Sequence, residues 1–128
     1  MPRRAVSAQG LAHSSAYSHA VRAGDLVVVS GQVARDADGR LVGQGDVAAQ
    51  ARQVFANLDA VLRAAGCGPD DVEKLTVFVT DRSARAAVSR VRDEIFTEPR
   101  PASTFLVVAG LADPDLLVEI EALAWLGG

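Results

Sequence analysis

The stretch Leu116-Leu-Val-Glu-Ile-Glu-Ala-Leu-Ala-Trp125 decides the fold, because its side chains alternate between two kinds of face. A period of two residues is typical of a β-strand. The apolar face of this predicted strand consists of Leu116, Val118, Ile120, Ala122 and Ala124. The other face consists of Leu117, Glu119, Glu121, Leu123 and Trp125. Carboxylates between large apolar side chains predict a partly dry environment, which a small protein obtains most easily in a cleft or at a subunit contact.

Working towards the N-terminus, the sequence predicts another strand and a long helix. Leu26–Val33 is rich in β-branched residues, and Asp36-Ala-Asp-Gly39 follows it, which predicts a hairpin strand and a tight turn. From Asp46, the predicted N-cap, to Gly66, the predicted stop, apolar residues recur at helical spacing. They are Val47, Ala51, Val54, Phe55, Leu58, Val61, Leu62 and Ala65.

The residues between this helix and the last strand predict three more elements. Pro69-Asp-Asp71 is typical of a short turn, and Leu75–Thr80 has the composition of a strand. Ala84–Phe96 returns to helical spacing, and Pro99 and Pro101 end that helix.

The order of elements is therefore ββαβαββ, with strands in separated pairs joined by helical crossovers. It predicts an α+β fold in which a mixed sheet is covered by both helices on one face. The strand around Val77 and the two C-terminal strands are apolar on both faces, as in a sheet buried on both sides. Because only two helices are available, we expect another copy of the chain to cover the second face, as an obligate oligomer.

Composition limits the classes of function. The 128 residues predict a single domain over 1–128, and no apolar run is long enough for a signal peptide or a membrane span, so we expect a cytoplasmic protein without a membrane partner. A net charge of −3 without a basic patch argues against nucleic acid as a partner. The lone Cys67 excludes an intramolecular disulfide, and His13 and His19 have no carboxylate or thiol at ligand spacing. We therefore expect no metal and no cofactor.

Six short segments, in this order and spacing, resemble the Rid family of reactive intermediate deaminases, also called YjgF-like proteins. They are Tyr17, Val29-Ser-Gly-Gln32, Asp46-Val-Ala-Ala-Gln-Ala-Arg-Gln53, Ala64-Ala-Gly66, Thr76-Val-Phe-Val-Thr-Asp81 and Val118-Glu-Ile-Glu-Ala122. The resemblance covers nearly the whole chain. It implies a chorismate-mutase-like trimer whose sheets form a central barrel, with a small-molecule cleft at each subunit contact.

The resemblance also implies a reaction. In the deaminase branch an Arg on the penultimate strand pairs with the carboxylate of an imine or enamine acid, and a Glu on the last strand positions or activates water. Hydrolysis gives a 2-oxo acid and ammonia. The catalytic residues carried over to this sequence are Glu119 and Tyr17, and the residues of the pocket are Ser30 and Gly31.

Three further positions carried over as substrate-binding residues depart from the family pattern. Ser103 stands where the carboxylate-binding Arg is expected, Phe105 where many members have Cys, and Ser89 where an Asn is frequent. A neutral hydroxyl cannot replace a guanidinium fork, so activity on simple imino acids should be weak. Arg100 lies three residues upstream of Ser103, but the odd spacing sends it to the opposite face of a strand.

Several residues have two possible roles. Glu119 is either a general acid/base in a dry cleft or an interface carboxylate bonded to backbone amides. Tyr17 either donates to substrate or packs its ring at a subunit edge. Gly31 either lets a ligand approach the backbone or forms a bulge.

The leading hypothesis is a homotrimer that binds or hydrolyses a small imine, enamine or related carbonyl compound. The alternatives are a non-catalytic metabolite-binding or stabilising trimer and, with less support, a ribonuclease that inhibits translation.

Overall fold

The computed structural model describes residues 2–127, in which six strands form one mixed sheet. The strands are β1 (Arg4–Val6), β2 (Ala20–Ala23), β3 (Leu26–Gln32), β4 (Val72–Val79), β5 (Ala102–Val107) and β6 (Val118–Trp125). Their order across the sheet is β1-β2-β3-β6-β4-β5. All neighbours are antiparallel except β4 and β5, which are parallel.

Two helices, α1 (Val47–Ala64) and α2 (Arg85–Ile95), form where helical spacing predicted them. The Asp46 carboxylate accepts a hydrogen bond from the Ala49 N–H, which satisfies one of the free donors at the start of α1. At the other end Gly66 adopts a φ of 85°, and the Cys67 N–H donates back to the Leu62 carbonyl. Both predicted boundaries of this helix are therefore confirmed.

The hydrophobic core lies between the helices and one face of the sheet. On β6 the even-numbered positions are almost fully buried: Val118, Ile120, Ala122 and Ala124. They meet the apolar stripe of α1, which includes Leu58 and Leu62. The alternation seen in the sequence thus separates a buried face from an open one, and the predicted α+β fold with two helices on a mixed sheet is confirmed.

The N-terminal half contains one strand more than the sequence predicts. Leu26–Val33 was predicted to enter a hairpin through the turn at Asp36–Gly39, but β3 pairs with β2, which precedes it. The turn at Asp36–Gly39 does form, yet it closes only a single bridge between Arg35 and Leu41. The short β1 then extends the sheet beyond β2. These strands are short and lie in a Ser- and Ala-rich lead-in, so their alternation is too brief to detect.

The pairing of the C-terminal strands also differs from the prediction. The last two strands, β5 and β6, are not neighbours, because β4 lies between them. A parallel crossover through α2 places β5 at the sheet edge, and β6 inserts between β3 and β4. The last strand is therefore central in the sheet.

The face of the sheet opposite the helices is apolar and exposed in the single chain. Leu26 pairs with Trp125 and Val28 with Leu123, and these four side chains are between 37% and 48% exposed. We call them the open apolar face. None of the helices in residues 2–127 is long and apolar enough to cross a membrane.

Candidate functional site

A cavity of about 400 Å³ lies at the N-terminal end of β6, beside Glu119. It is lined by Tyr17, Ser30, Gly31, Val33, Arg35, Ala112, Asp113, Leu116 and Glu119. Four of the residues predicted from the sequence, Tyr17, Ser30, Gly31 and Glu119, therefore share one cavity. The pairing of β3 with β6 brings Ser30 and Gly31 next to Glu119.

A β-bulge shapes the wall next to Glu119. The pairing of β3 with β6 runs regularly to Val29 and resumes one residue late at Gln32, so Ser30 and Gly31 form the bulge. A Cβ added at Gly31 would lie 2.1 Å from Oε2 of Glu119. The Glu119 carboxylate thus occupies the volume that a side chain at position 31 would need. Only glycine leaves room for it there.

The Glu119 carboxyl is in an environment that favours its neutral form. Burial raises its pKa above the ordinary value, and the like charge of Glu121, two residues along the same face, raises it further. Glu121 itself is exposed. A raised pKa brings a carboxyl group closer to the range in which it can both accept and return a proton, which suits a general acid/base.

Ser30 connects the bulge to the lead-in segment. Its hydroxyl donates to the Ser18 carbonyl at 2.6 Å, and its N–H donates to the His19 carbonyl at 2.8 Å. The Ser30 hydroxyl therefore has a structural hydrogen bond, which holds the segment containing Tyr17 against β3.

Tyr17 lies at the mouth of the cavity. It is 56% exposed, and its ring packs edge to face on His19 with the centroids 6.0 Å apart. His19 in turn contacts the Ala12 carbonyl through Nε2 at 2.7 Å and the Gln32 amide through Nδ1 at 3.3 Å. A neutral His19 protonated on Nε2 satisfies both contacts. The ring of Tyr17 is thus oriented by a histidine with a structural role.

The other three predicted site residues lie elsewhere in the chain. Ser103 is in register with Leu75, and Phe105 with Val77, two residues whose side chains are buried beneath the helices. Ser103 and Phe105 therefore lie on the same side of the sheet as the helices, where Ser103 is exposed on the edge strand β5, whereas Glu119 lies on the opposite side. The Arg85 guanidinium lies 5.9 Å from the Phe105 ring centroid.

Ser89 lies on α2 and is also outside the Glu119 cavity. Arg100 is in the loop before β5, where Nε donates to the Phe96 carbonyl at 3.4 Å and a terminal nitrogen lies 3.7 Å from Glu98. Within one chain, then, the site residues fall into two groups on different faces.

Two charged residues of the cavity were missed from the sequence, Arg35 and Asp113. Arg35 follows β3, Asp113 lies in the loop before β6, and the two form an ion pair. They are 78 positions apart in the chain, so no local pattern could have paired them. Within residues 2–127, no three His, Cys, Asp or Glu side chains come together as a set of metal ligands.

Comparison with known proteins agrees with this fold. Residues 7–126 match the sequence model described as endoribonuclease L-PSP. The crystal structure of RidA from an Antarctic Psychrobacter species superposes with a TM-score of 0.89 at 34% identity, covering 96% of this chain and 99% of that one. The chain belongs to the Rid family, also called the YjgF or L-PSP family.

Two relatives whose names state a deaminase activity are similar over most of their lengths. The 2-iminobutanoate/2-iminopropanoate deaminase of Salmonella typhimurium is 40% identical over 84% of this chain and 85% of that protein. The 3-aminoacrylate deaminase RutC of Acinetobacter baylyi is 35% identical over 97% of this chain and 98% of that protein.

Proposed function

We propose that this protein is a homotrimeric hydrolase of small imines or enamines, with one reaction cleft at each subunit contact. The observation that supports it best is the Glu119 carboxyl, which has a raised pKa and lines a cavity with Tyr17. The names of two similar proteins, deaminases of 2-iminobutanoate and of 3-aminoacrylate, support the substrate class.

The division of the site residues supports a cleft between subunits. Tyr17, Ser30, Gly31 and Glu119 lie on one face of a chain, whereas Ser89, Ser103 and Phe105 lie on another part of its surface. A second copy that covers the open apolar face would bury Leu123 and Trp125 of the first subunit. It would also bring its own Ser89, Ser103 and Phe105 close to the Glu119 cavity of the first subunit. Both groups would then border one cleft.

In the proposed reaction, a water oxygen adds to the imine carbon while Glu119 accepts a proton from the water. The carbon–oxygen bond forms, and the electrons of the C=N bond move to nitrogen. Return of this proton to the nitrogen gives a neutral carbinolamine. Glu119 then transfers the hydroxyl proton to the nitrogen, the carbon–nitrogen bond breaks with its electrons going to nitrogen, and ammonia departs as the carbonyl forms. No oxidant or other reactant is required. In this proposal Tyr17, which also lines the cavity, donates a hydrogen bond to the bound substrate.

Ammonia release from freshly generated 2-aminoacrylate tests this function. We expect turnover above the uncatalysed rate, and a loss of about a hundredfold or more in kcat for Glu119→Gln, the magnitude typical of a removed general acid/base. Glu73→Gln, at an exposed position of β4, is the matched control and should leave kcat unchanged. Full turnover in Glu119→Gln would contradict the mechanism.

A second candidate function, a trimer that binds a metabolite without converting it, is favoured by Ser103 alone. Ser103 cannot supply the charge and the two parallel hydrogen bonds of a guanidinium. If wild type is inactive and Ser103→Arg gains ammonia release, the cleft is intact and lacks only this group. That result would support binding without catalysis.

The description of the matching family as an endoribonuclease raises a third possibility. A chain with a net charge of −3 has little general attraction for a phosphate backbone. We expect no salt-dependent binding to single-stranded RNA in a fluorescence anisotropy titration. Binding that weakens steeply as salt is raised would favour the ribonuclease instead.

A further inference from the structure

Among residues 2–127, Arg35 is the only Lys or Arg that lines the Glu119 cavity. It lies just beyond β3, in the loop that continues from the bulge, and its side chain is 31% exposed. The cavity thus has a carboxyl with a raised pKa on the β6 side and a guanidinium on the loop side. Two such groups around one cavity suggest a ligand with two chemically different ends.

The backbone that positions Arg35 is fixed by the long helix. The side-chain amide of Asn57, buried on α1, donates to the carbonyls of Val33 at 3.0 Å and Arg35 at 2.9 Å. One terminal nitrogen of Arg35 donates to the Gly39 carbonyl at 2.9 Å. Asn57 therefore fixes the backbone of Arg35, and the Gly39 carbonyl fixes one end of its guanidinium, before any ligand enters, which lowers the entropy lost on binding.

Asp113 is the present partner of that guanidinium. The other terminal nitrogen of Arg35 donates to the Asp113 carboxylate, whose side chain is 55% exposed in the loop before β6. These two contacts use two of the five N–H donors of a guanidinium. An ion pair as exposed as this one contributes little stability, so its aspartate can be exchanged for another carboxylate at small cost.

We propose that Arg35 is the anion-binding residue of the cavity and that Asp113 is its counterion, which the carboxylate of an incoming small monocarboxylic acid replaces. This inference deepens the proposed function and rests on it for the choice of cavity. The carboxylate of the ligand lies on Arg35, and its imine or carbonyl carbon lies towards Glu119. A guanidinium suits this role because it binds both oxygens of a carboxylate in parallel.

Titration calorimetry with 2-oxobutanoate, a stable keto acid, tests the proposal without requiring turnover. The uncharged methyl ester of 2-oxobutanoate is the matched ligand. We expect the acid to bind and the ester to bind at least about tenfold more weakly, because loss of hydrogen bonds to a charged group has this magnitude.

Three variants locate the binding group. Arg35→Gln should weaken binding of 2-oxobutanoate by about tenfold to hundredfold. Asp113→Asn should strengthen it by a few fold, because the neutral amide competes less for the guanidinium. Arg40→Gln, an exposed arginine of the same loop, is the control and should leave the affinity unchanged.

The opposite effects of the two variants separate ligand binding from a structural ion pair. If the pair only holds the two loops together, Arg35→Gln and Asp113→Asn weaken binding alike, and the proposal is wrong. Equal affinity in Arg35→Gln and wild type, or no binding of the acid to wild type, also overturns it. If Arg35→Gln does not fold, as judged by circular dichroism, the Asp113→Asn result decides alone.

The binding assay also distinguishes this inference from the proposed function. Arg35-dependent binding of the acid without ammonia release from 2-aminoacrylate would reject the hydrolase and keep the anion site. Ammonia release that is the same in wild type and Arg35→Gln would keep the hydrolase and reject the anion site at Arg35.

Discussion

Gly31 and Glu119 form a pair in which the absence of one side chain makes room for the other. The bulge turns Gly31 towards the cavity, and the Glu119 carboxylate occupies the volume that a Cβ would take. The sequence left two explanations for this glycine, a bulge or the close approach of a ligand. The bulge is present, and a carboxylate of the protein itself makes the close approach.

Gly31→Ala should therefore displace the Glu119 carboxylate without unfolding the protein. A Cβ at 2.1 Å from Oε2 forces the side chain to move, and the end of a flexible side chain can do so at modest cost. We expect kcat for 2-aminoacrylate to fall by about tenfold or more, while the unfolding temperature changes little. Gly110→Ala is the control, since nothing lies within 4 Å of the added Cβ. Equal loss of activity in both variants would contradict the steric explanation.

The raised pKa of Glu119 predicts how stability depends on pH. The folded protein binds this proton more tightly than the unfolded chain, whose ordinary pKa is 4.5, so the contribution is complete below that value and is lost as pH rises through the raised pKa. Glu119→Gln cannot ionise. The variant should therefore gain stability relative to wild type as pH rises above 4.5, measured by thermal unfolding at fixed protein concentration.

Parallel stability curves for wild type and Glu119→Gln over this range would contradict the pH prediction. The exposed Glu73→Gln corrects for the loss of one formal charge.

Among the secondary-structure elements, α1 is tied to the entry of β6 by the buried amide of Gln50. Gln50, which is 0% exposed, donates from Nε2 to the carbonyls of Gly43 at 3.0 Å and Asp115 at 2.9 Å, and its Oε1 accepts from the Leu117 N–H at 2.9 Å. One side chain thus satisfies backbone groups at the start of the helix and at the entry to β6.

Gln50→Leu should lower the free energy of unfolding by about 2–4 kcal/mol, because it leaves several backbone groups without a partner in the interior. Chemical denaturation at fixed protein concentration measures the change. Gln44→Leu, at an exposed position before α1, is the control and should cost less than about 0.5 kcal/mol. If Gln50→Leu also lowers the free energy of unfolding by less than about 0.5 kcal/mol, water replaces the hydrogen bonds of the amide and the prediction is wrong.

The elements that could be predicted from the sequence are those with local signals. The caps of α1, the spacing of α2 and the alternation of β6 all depend on residues within a few positions of one another. The neighbours of β6 could not be predicted, since the insertion of this strand between β3 and β4 is set by packing between distant segments. Arg35 and Asp113 were missed for the same reason.

For the whole molecule, the open apolar face has the properties of a subunit contact. Its large side chains are paired across β3 and β6 and form one continuous patch beside the cavity. Monomers rarely expose patches of this kind. The trimer remains a proposal, and the mass in solution decides it.

Leu123→Glu should prevent assembly, because it places a third carboxylate beside Glu119 and Glu121 on a face that must become dry. Light scattering coupled to size exclusion should give wild type about three times the chain mass of 13.4 kDa and the variant a lower mass. Ala56→Glu, at an exposed position of α1, should keep the wild-type mass. A monomeric wild type would reject the proposed assembly.

The central position of β6 has a consequence for how the chain folds. The sheet has two halves, β1–β3 and β4–β5, and β6 is the only strand that hydrogen-bonds to both. A nascent chain that stops before Val118 can form the first hairpin and the crossover through α2, but no strand connects β3 to β4 by hydrogen bonds. Completion of the sheet must therefore wait for the segment that is synthesised last. Until then, the two half-sheets expose unpaired strand edges to other chains, which makes this interval the one most open to aggregation.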